Sequence, residues 1–420
     1  MKKAIVYGLG YNYYFGQYDL INSYDIVAIT DTNAEARKWA ESSPANEGLQ
    51  VIEPTEINKM DYDVIVVTPK NSEQLVDQLR GMGILQDHIE PFTLSQSAPY
   101  RIDPDFFNDL DSEGKKNLFR NNVEKIVIEV NSKCNRKCWF CGNSIVDRHS
   151  ANFQMTDELF IKIVQELKEI DYCGLVCYSF YNEPLLCDTL ADKIRYTKDQ
   201  LPSCLTFLTT NGDFLTPQSL HELSEAGLDD MIVSVYEENN PLHKWTLDGA
   251  MDTIDTVLDR LSLRPIFKEE HENTATAYAS SESTSIRLQN VDFANSGGNR
   301  GEMLLSDSIP LPIFDHRSKL CCVPFFTFNI FYNGDVMPCG DTRVDYEKHA
   351  DFKTGNINDN TIFEVFSGSK AKELRLKAMM DLDVFPHGSC WYDNDTWIPR
   401  YPCVPLRRRP YEIIQSNLSK

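Results

Sequence analysis

Three cysteines fall within eight positions of "NSKCNRKCWFCGN", at Cys134, Cys138 and Cys141. Cysteine thiolate is the soft anionic ligand that zinc, copper and iron–sulfur clusters take. A structural zinc ion wants four ligands. The trio therefore asks for a distant fourth ligand or for a metal centre deliberately left open. A second group, Cys321, Cys322, Cys339, Cys390 and Cys403, lies in the last quarter of the chain. It holds enough thiols for a four-cysteine zinc ribbon. The remaining Cys173, Cys177, Cys187 and Cys204 lie in or beside strand-like runs and read as buried, inert thiols. The run "KEEHE" (268–272) reads as a solvated charge cluster rather than a metal site.

A third candidate site is the turn "GLGYNYYFG", where Gly8 and Gly10 follow a first apolar run and Asp31 ends the second. This is the layout of a dinucleotide fingerprint, except that Tyr13 stands where the third glycine belongs. Either an NAD-type ligand or a Rossmann-like scaffold with another ligand fits. Tyr11, Asn12 and Tyr14 offer stacking faces and hydrogen bonds that suit a sugar or nucleoside better than bare phosphate.

Composition narrows the setting. A net charge of -22 argues against a nucleic-acid binder, which needs a basic face. The basic run Arg407–Arg409 is too short to reverse that. No apolar run approaches the roughly 18–20 residues of a membrane span. The opening "MKKAIVYGLG" reads as a strand and turn rather than a signal peptide, which points to a reducing, cytoplasmic compartment where thiols persist.

The elements that must position these residues follow an α/β alternation. Residues 1–95 place strands at 3–8, 25–31, 63–69 and near 49–54, with a helix over 72–83, as a parallel Rossmann-like domain. Residues 96–122 read as a linker. From 123 strands recur at 125–130, 174–180, 204–210, 231–236 and 285–291. Thr156 caps a helix whose apolar face runs from Leu159 to Ile170, Thr216-Pro217 opens another, and Leu247 to Leu261 stripe a third. Residues 262–284 break the pattern. The cysteine trio follows the first of these strands, at the end where parallel barrels build their sites. Further on, "FFTFNIFY" and the Asn333-Gly334 turn predict a β-hairpin.

That placement and the C-x3-C-x2-C spacing of "CNRKCWFC" resemble the radical S-adenosylmethionine (SAM) superfamily. The resemblance implies a partial (β/α)6 TIM-like barrel over 123–315 and a 4Fe-4S cluster held by Cys134, Cys138 and Cys141. Its fourth iron would be left open for the methionine moiety, and one-electron cleavage of SAM would give a 5′-deoxyadenosyl radical. It further implies that Phe140 lies beside the adenine. In "SFYNEPLL", Tyr181, Asn182 and Glu183 occupy the place of the family's glycine-glycine-glutamate motif, with the glycines missing. In "LTTNG", the resemblance implies that Thr210 and Asn211 hydrogen-bond the ribose, with Ser234 as a similar candidate. Residues 316–404 resemble the SPASM and twitch auxiliary-cluster domains, whose C-x(9–15)-G-x4-C pattern matches a first cysteine, Gly334 and Cys339. The segment "NSGGNRGEM" (295–303) is similar to one that precedes such domains. A single auxiliary 4Fe-4S cluster, the twitch form, is implied, on Cys321 or Cys322 with Cys339, Cys390 and Cys403. Cys321 is favoured by its distance from Pro324. Residues 405–420 form a tail.

The resemblance implies a radical SAM enzyme of oxidoreductase or epimerase type, supplied with electrons by a donor such as flavodoxin or ferredoxin. Its substrate is a small polar molecule, carbohydrate-like or a nucleotide sugar, with a ribosomal peptide as the alternative. A non-enzymatic Rossmann-like module with structural zinc is the reading from a different class.

Overall fold

The computed structural model describes residues 1–9, 13, 20, 23–42, 46, 48–68, 73–92, 104–236, 244–296, 300–304 and 323–380. Cys321, Cys322, Cys390, Cys403, the tail and the loop residues Tyr11, Asn12 and Tyr14 lie outside them.

Strands β1 (Lys2–Tyr7), β2 (Tyr24–Thr30), β3 (Gln50–Val51), β4 (Val64–Val67) and β5 (Ile89–Pro91) form one parallel sheet in the order β3-β2-β1-β4-β5. This is the doubly wound order expected of a Rossmann-like fold. Alternation along the strands feeds both faces, because successive side chains point to opposite sides. Ala4, Val6, Ile29, Val64 and Val66 enter one apolar cluster, and Ile5, Tyr7, Ala28, Ile65 and Val67 the other. Helix Glu73–Gly81 covers the second face through Leu75 and Leu79.

The remaining strands make one ten-stranded sheet. They are β6 (Lys125–Ile128), β7 (Leu175–Cys177), β8 (Leu205–Thr210), β9 (Asp230–Ser234), β10 (Phe267–His271), β11 (Thr274–Ser281), β12 (Thr284–Val291), β13 (Thr327–Ile330), β14 (Asp335–Met337) and β15 (Gly355–Asn356). Six run parallel, in the order β13-β6-β7-β8-β9-β12. They form the partial barrel. Antiparallel strands extend it at both ends, β11 and β10 beyond β12, β14 and β15 beyond β13. Val127, Leu175, Cys177, Leu205, Phe207 and Ile232 point inward and fill its floor, while the alternate positions pack outward against helices. Those helices start as expected. Thr156, Thr216 and Thr246 each accept a hydrogen bond from a first-turn N–H, at Leu159, Ser219 and Gly249.

Two features were not legible in the pattern. The unplaced segment 262–284 is the β10–β11 hairpin, and it carries the dock for the N-terminal sheet. Phe267 and Tyr278 stack at 4.2 Å and join the apolar cluster of Ala4, Val6 and Tyr13. The predicted 325–337 hairpin is present as β13–β14, but β13 also pairs in parallel with β6, so it is a barrel strand too.

Candidate functional site

The loop after β6 is closed at its base. Asn131 bridges Gln154, Ser132 N donates to Phe153 O at 2.8 Å, and Cys134 N donates to Arg148 O at 3.0 Å. Inside, Cys141 N donates to Cys138 O at 2.9 Å, and a single turn at Gly142–Ser144 follows. Gly142 sits in a crowded spot, where a Cβ would stand 2.8 Å from the Arg343 guanidinium. The three cysteines line one cavity of about 320 Å³ together with Phe140, Tyr181, Asn182, Glu183, Thr210, Asn211, Ser234 and Cys339. Every described residue expected at the SAM site, and Cys339 of the second cysteine group, therefore meets in one place.

Burial pushes the Cys134 thiol up to about 11 and the Cys138 thiol up to about 12. As free thiols they are neutral, so a metal centre must displace their protons on binding. The three sulfurs do not all fall within 4.8 Å of one another, since among the described residues only an exposed His221, Glu225 and Glu282 group meets that limit. Thiolates on a single zinc ion, at about 2.3 Å from the metal, would sit closer together than that. The spread, the three-ligand count and the open cavity fit a cluster with one uncoordinated corner.

The neighbouring loops are welded to the cysteine loop. Asn182 Oδ1 accepts from Phe180 N at 2.8 Å, its Nδ2 donates to Asn131 Oδ1 at 2.8 Å, and Glu183 N donates to Lys133 O at 2.8 Å. Thus Asn182 shapes the turn that the family's glycines would otherwise make. The Glu183 carboxylate accepts from Thr210 Oγ1 (2.6 Å), Asn211 N (2.8 Å) and Leu185 N (3.1 Å). Burial raises its pKa, and these donors pull the other way. Asn211 Nδ2 reaches Asn135 Oδ1 at 2.8 Å, and Asp213 holds both Asn135 and the Arg136 guanidinium. Phe140 stacks on Phe293 at 3.7 Å and leans on Tyr236 at 4.9 Å, whose hydroxyl meets Ser234.

On the far wall Cys339 is buried, and its sulfur accepts from Asp341 N at 3.4 Å. Tyr181 Oη donates to Gly340 O at 2.8 Å. Arg300 spans the two walls, with Nε donating to Phe140 O at 3.4 Å and a guanidinium nitrogen 3.7 Å from Asp341. The next residue, Gly301, takes φ +64°, and a Cβ there would meet Asp341 O at 2.5 Å.

Behind the cavity lies a buried charge network that sequence reasoning missed. Glu129, at the end of β6, pairs with Arg148 at 3.2 Å, and Arg148 pairs with Asp345 at 2.6 Å. Asp345 also accepts from Arg343, which donates to Asn143 Oδ1 at 2.9 Å and lies 4.0 Å over the Tyr181 ring. The network ties the cysteine loop to the segment after Cys339. Tyr236 and Phe293 could have been found, because each lies two residues beyond a cavity-lining strand residue, Ser234 and Val291. Cys177, Cys187 and Cys204 are buried and Cys173 is half-buried, in keeping with inert thiols.

A partial parallel barrel with an open three-cysteine loop at its mouth defines a radical SAM enzyme. Comparison with known proteins agrees. Residues 128–263 match the Radical SAM superfamily, residues 321–391 the SPASM iron–sulfur cluster-binding domain, and residues 1–90 the C2185-like N-terminal family. The S-adenosyl-L-methionine-dependent 2-deoxy-scyllo-inosamine dehydrogenase of Niallia circulans is 30% identical over 250 residues, 60% of this chain and 84% of that protein. The tungsten-containing aldehyde ferredoxin oxidoreductase cofactor-modifying protein of Pyrococcus furiosus is 26% identical over 107 residues, 26% of this chain and 29% of that one. Among solved structures, BtrN in complex with AdoMet and 2-DOIA is 26% identical, covering 61% of this chain and 87% of its own, with a TM-score of 0.45. SuiB of Streptococcus suis bound to S-adenosylmethionine is 13% identical, covering 67% and 77%, with a TM-score of 0.38. The chain belongs to the radical SAM superfamily. Its cofactors are SAM, the 4Fe-4S cluster that cleaves it and an auxiliary iron–sulfur cluster. No helix among the described residues is long and apolar enough to cross a membrane.

Proposed function

We propose that this enzyme oxidises a secondary alcohol of a small, polyhydroxylated substrate of the cyclitol, aminocyclitol or sugar class. The observation that carries this reading is the polar lining of the cavity below the cysteine loop. Ser179, Thr209, Gln289, Thr327 and Asn329 enter it from four different strands or strand ends. Such donors and acceptors match hydroxyl groups and would be left unpaired by an apolar side chain. The Niallia relative, whose name describes dehydrogenation of an aminocyclitol, supports the same class.

In this reading Cys134, Cys138 and Cys141 hold the SAM cluster, and Cys339 with Cys321, Cys390 and Cys403 holds the auxiliary one. Phe140 flanks the adenine, the Tyr181–Glu183 turn receives the methionine amino group, and Thr210, Asn211 and Ser234 face the ribose. When bound, SAM and its cluster supply a hydrogen-abstracting 5′-deoxyadenosyl radical. The chain's own residues hold the alcohol carbon towards the cysteine loop and close the cavity between that loop and Cys339. Electrons come from a flavodoxin- or ferredoxin-type donor, in the cytoplasm. The functional units are 1–95, 123–315 and 316–404, joined by the 96–122 linker.

The test supplies reduced enzyme and SAM with 2-deoxy-scyllo-inosamine, other aminocyclitols and nucleotide sugars deuterated at each carbinol carbon. One of these should yield a ketone with deuterium transferred into 5′-deoxyadenosine. Deuterium transfer only from a peptide would overturn the reading.

A further inference from the structure

Tyr181 joins the two walls of the cavity. Its backbone belongs to the turn that ends at Glu183 and is tied to the barrel side. Tyr181 N donates to Glu129 Oε1 at 3.3 Å, and Tyr181 O accepts from Asn143 Nδ2 at 2.7 Å, just after Cys141. Its side chain crosses to the segment after Cys339, where Oη donates to Gly340 O at 2.8 Å. The ring is buried, with Phe180 at 4.8 Å and the Arg343 guanidinium at 4.0 Å. A carbonyl oxygen can only accept, so the phenol is the donor in the bond to Gly340.

The peptide it meets has a second end. Gly340 C=O and Asp341 N–H belong to one amide, and that N–H donates to Cys339 Sγ at 3.4 Å. In a trans peptide the C=O and N–H bonds point in opposite directions. The phenol therefore pulls on one side of the amide while the sulfur accepts on the other. The result is a chain of two hydrogen bonds from the Tyr181 hydroxyl to the Cys339 sulfur. Bonds in such a chain polarise one another, by roughly 10–30% each, so donation to the oxygen makes the N–H a stronger donor.

We infer that Tyr181 tunes the reduction potential of the auxiliary iron–sulfur cluster, acting through the Gly340–Asp341 peptide on the Cys339 sulfur. The inference rests on the reading of Cys339 as a ligand of that cluster and adds the residue that adjusts it. The chemistry of the donor set fits. A buried cysteine sulfur that accepts from a backbone N–H is favoured as thiolate, the form a cluster takes up. One-electron reduction adds a negative charge to the cluster. An N–H aimed at one of its thiolates stabilises the reduced form more than the oxidised one, so the bond raises the potential. A stronger donor raises it further. A phenol that only satisfied a carbonyl would hold the segment in place. At the far end of the amide that meets the sulfur, it also sets how strongly that amide donates. Tyr181 is in this sense a positioning residue, linking the turn beside the cysteine loop to the cluster across the cavity.

The experiment is a redox titration of the full-length, cluster-loaded enzyme, followed by electron paramagnetic resonance. The auxiliary signal is the one that remains in Cys134→Ala/Cys138→Ala/Cys141→Ala and disappears in Cys339→Ala. Tyr181→Phe removes only the hydroxyl. At a fixed potential near the midpoint it should lower the reduced-to-oxidised ratio of the auxiliary cluster about threefold. At about 59 mV per tenfold for one electron, that is a shift of about 28 mV to more negative potential. A ring-fluorinated tyrosine incorporated at position 181 is a stronger donor of nearly the same shape, and it should move the potential the opposite way, above that of the unsubstituted enzyme. Opposite signs separate donor strength from packing, because a packing defect has no reason to follow the acidity of the phenol. An unchanged auxiliary potential in both variants, or shifts of the same sign, would overturn the proposal. Where Tyr181→Phe fails to hold the cluster, the fluorinated enzyme decides alone: a rise in potential supports the proposal and no rise overturns it. Retention of the auxiliary signal in Cys339→Ala would instead count against the assignment of that cysteine to the cluster.

Discussion

Two loops of this molecule occupy equivalent places, each following the first strand of a parallel sheet. In the N-terminal sheet, described polar residues around the end of β1 bond within the fold. Asp31, which in a dinucleotide site would meet a ribose, accepts from Leu9 N at 2.6 Å and Asn33 N at 2.7 Å. Tyr13 is fully buried and donates to Asn46 Oδ1 at 2.6 Å. In the barrel the loop after β6 satisfies its backbone at its own base and leaves three cysteine sulfurs aimed at a cavity. The same place in the fold thus commits Asp31 and Tyr13 to bonds within the protein in one case and lines a cavity with sulfurs in the other. A loop becomes a site when its reactive side chains are not consumed by folding.

The largest effect expected from breaking this contrast is at Cys138. Cys138→Ala should abolish SAM cleavage and, in reconstituted protein, lower iron from about eight to about four per chain. Iron analysis and deoxyadenosine release would check both. Persistent cleavage would mean that Cys138 does not hold the cluster that cleaves SAM.

A smaller effect is expected behind the cavity. Burial raises the Asp345 pKa, but the guanidinium groups of Arg343 and Arg148 outweigh it and hold the carboxyl below the usual carboxylate range. A depressed folded-state pKa contributes stability above the unfolded value near 4. That stability is lost as pH falls through the folded value. Asp345→Asn should cost about 3 kcal/mol at pH 7, because two buried guanidiniums lose a shared partner. It should also flatten the acid limb of the stability–pH curve. Anaerobic denaturant unfolding across pH 3–7 would show it.

The smallest effect belongs to Tyr13. Tyr13→Phe removes one buried hydrogen bond and should cost about 1 kcal/mol. SAM cleavage measured alongside should not change.

The cysteine loop was legible because its information is local: spacing, residue type and the strand before it. Glu183 was legible for the same reason, as an acid ending the second barrel strand. The glycine-free turn at Tyr181-Asn182 needed the structure, since Asn182 does the work of a glycine only through its bonds to Phe180 and Asn131. The Glu129–Arg148–Asp345–Arg343 network joins residues up to 216 positions apart, between 129 and 345, and nothing in local pattern pairs them. The β10–β11 hairpin was hidden by its own chemistry. β10 is an edge strand carrying Lys268, Glu269 and Glu270, charges that protect an edge and read in sequence as a solvated run.

Strand β13 bears on how this enzyme can be taken apart. Because it pairs with β6 on one side and β14 on the other, the hydrogen-bond ladder runs unbroken from the barrel into the hairpin that ends at Cys339. A truncation before residue 323 would strip the barrel of its sixth parallel strand and bare the β6 edge to other chains. A chimera that borrows a C-terminal module from a relative would have to borrow a barrel strand with it. The auxiliary-cluster region is therefore an outgrowth of the barrel rather than an attachment to it, and recombination can exchange the two only by re-registering a sheet.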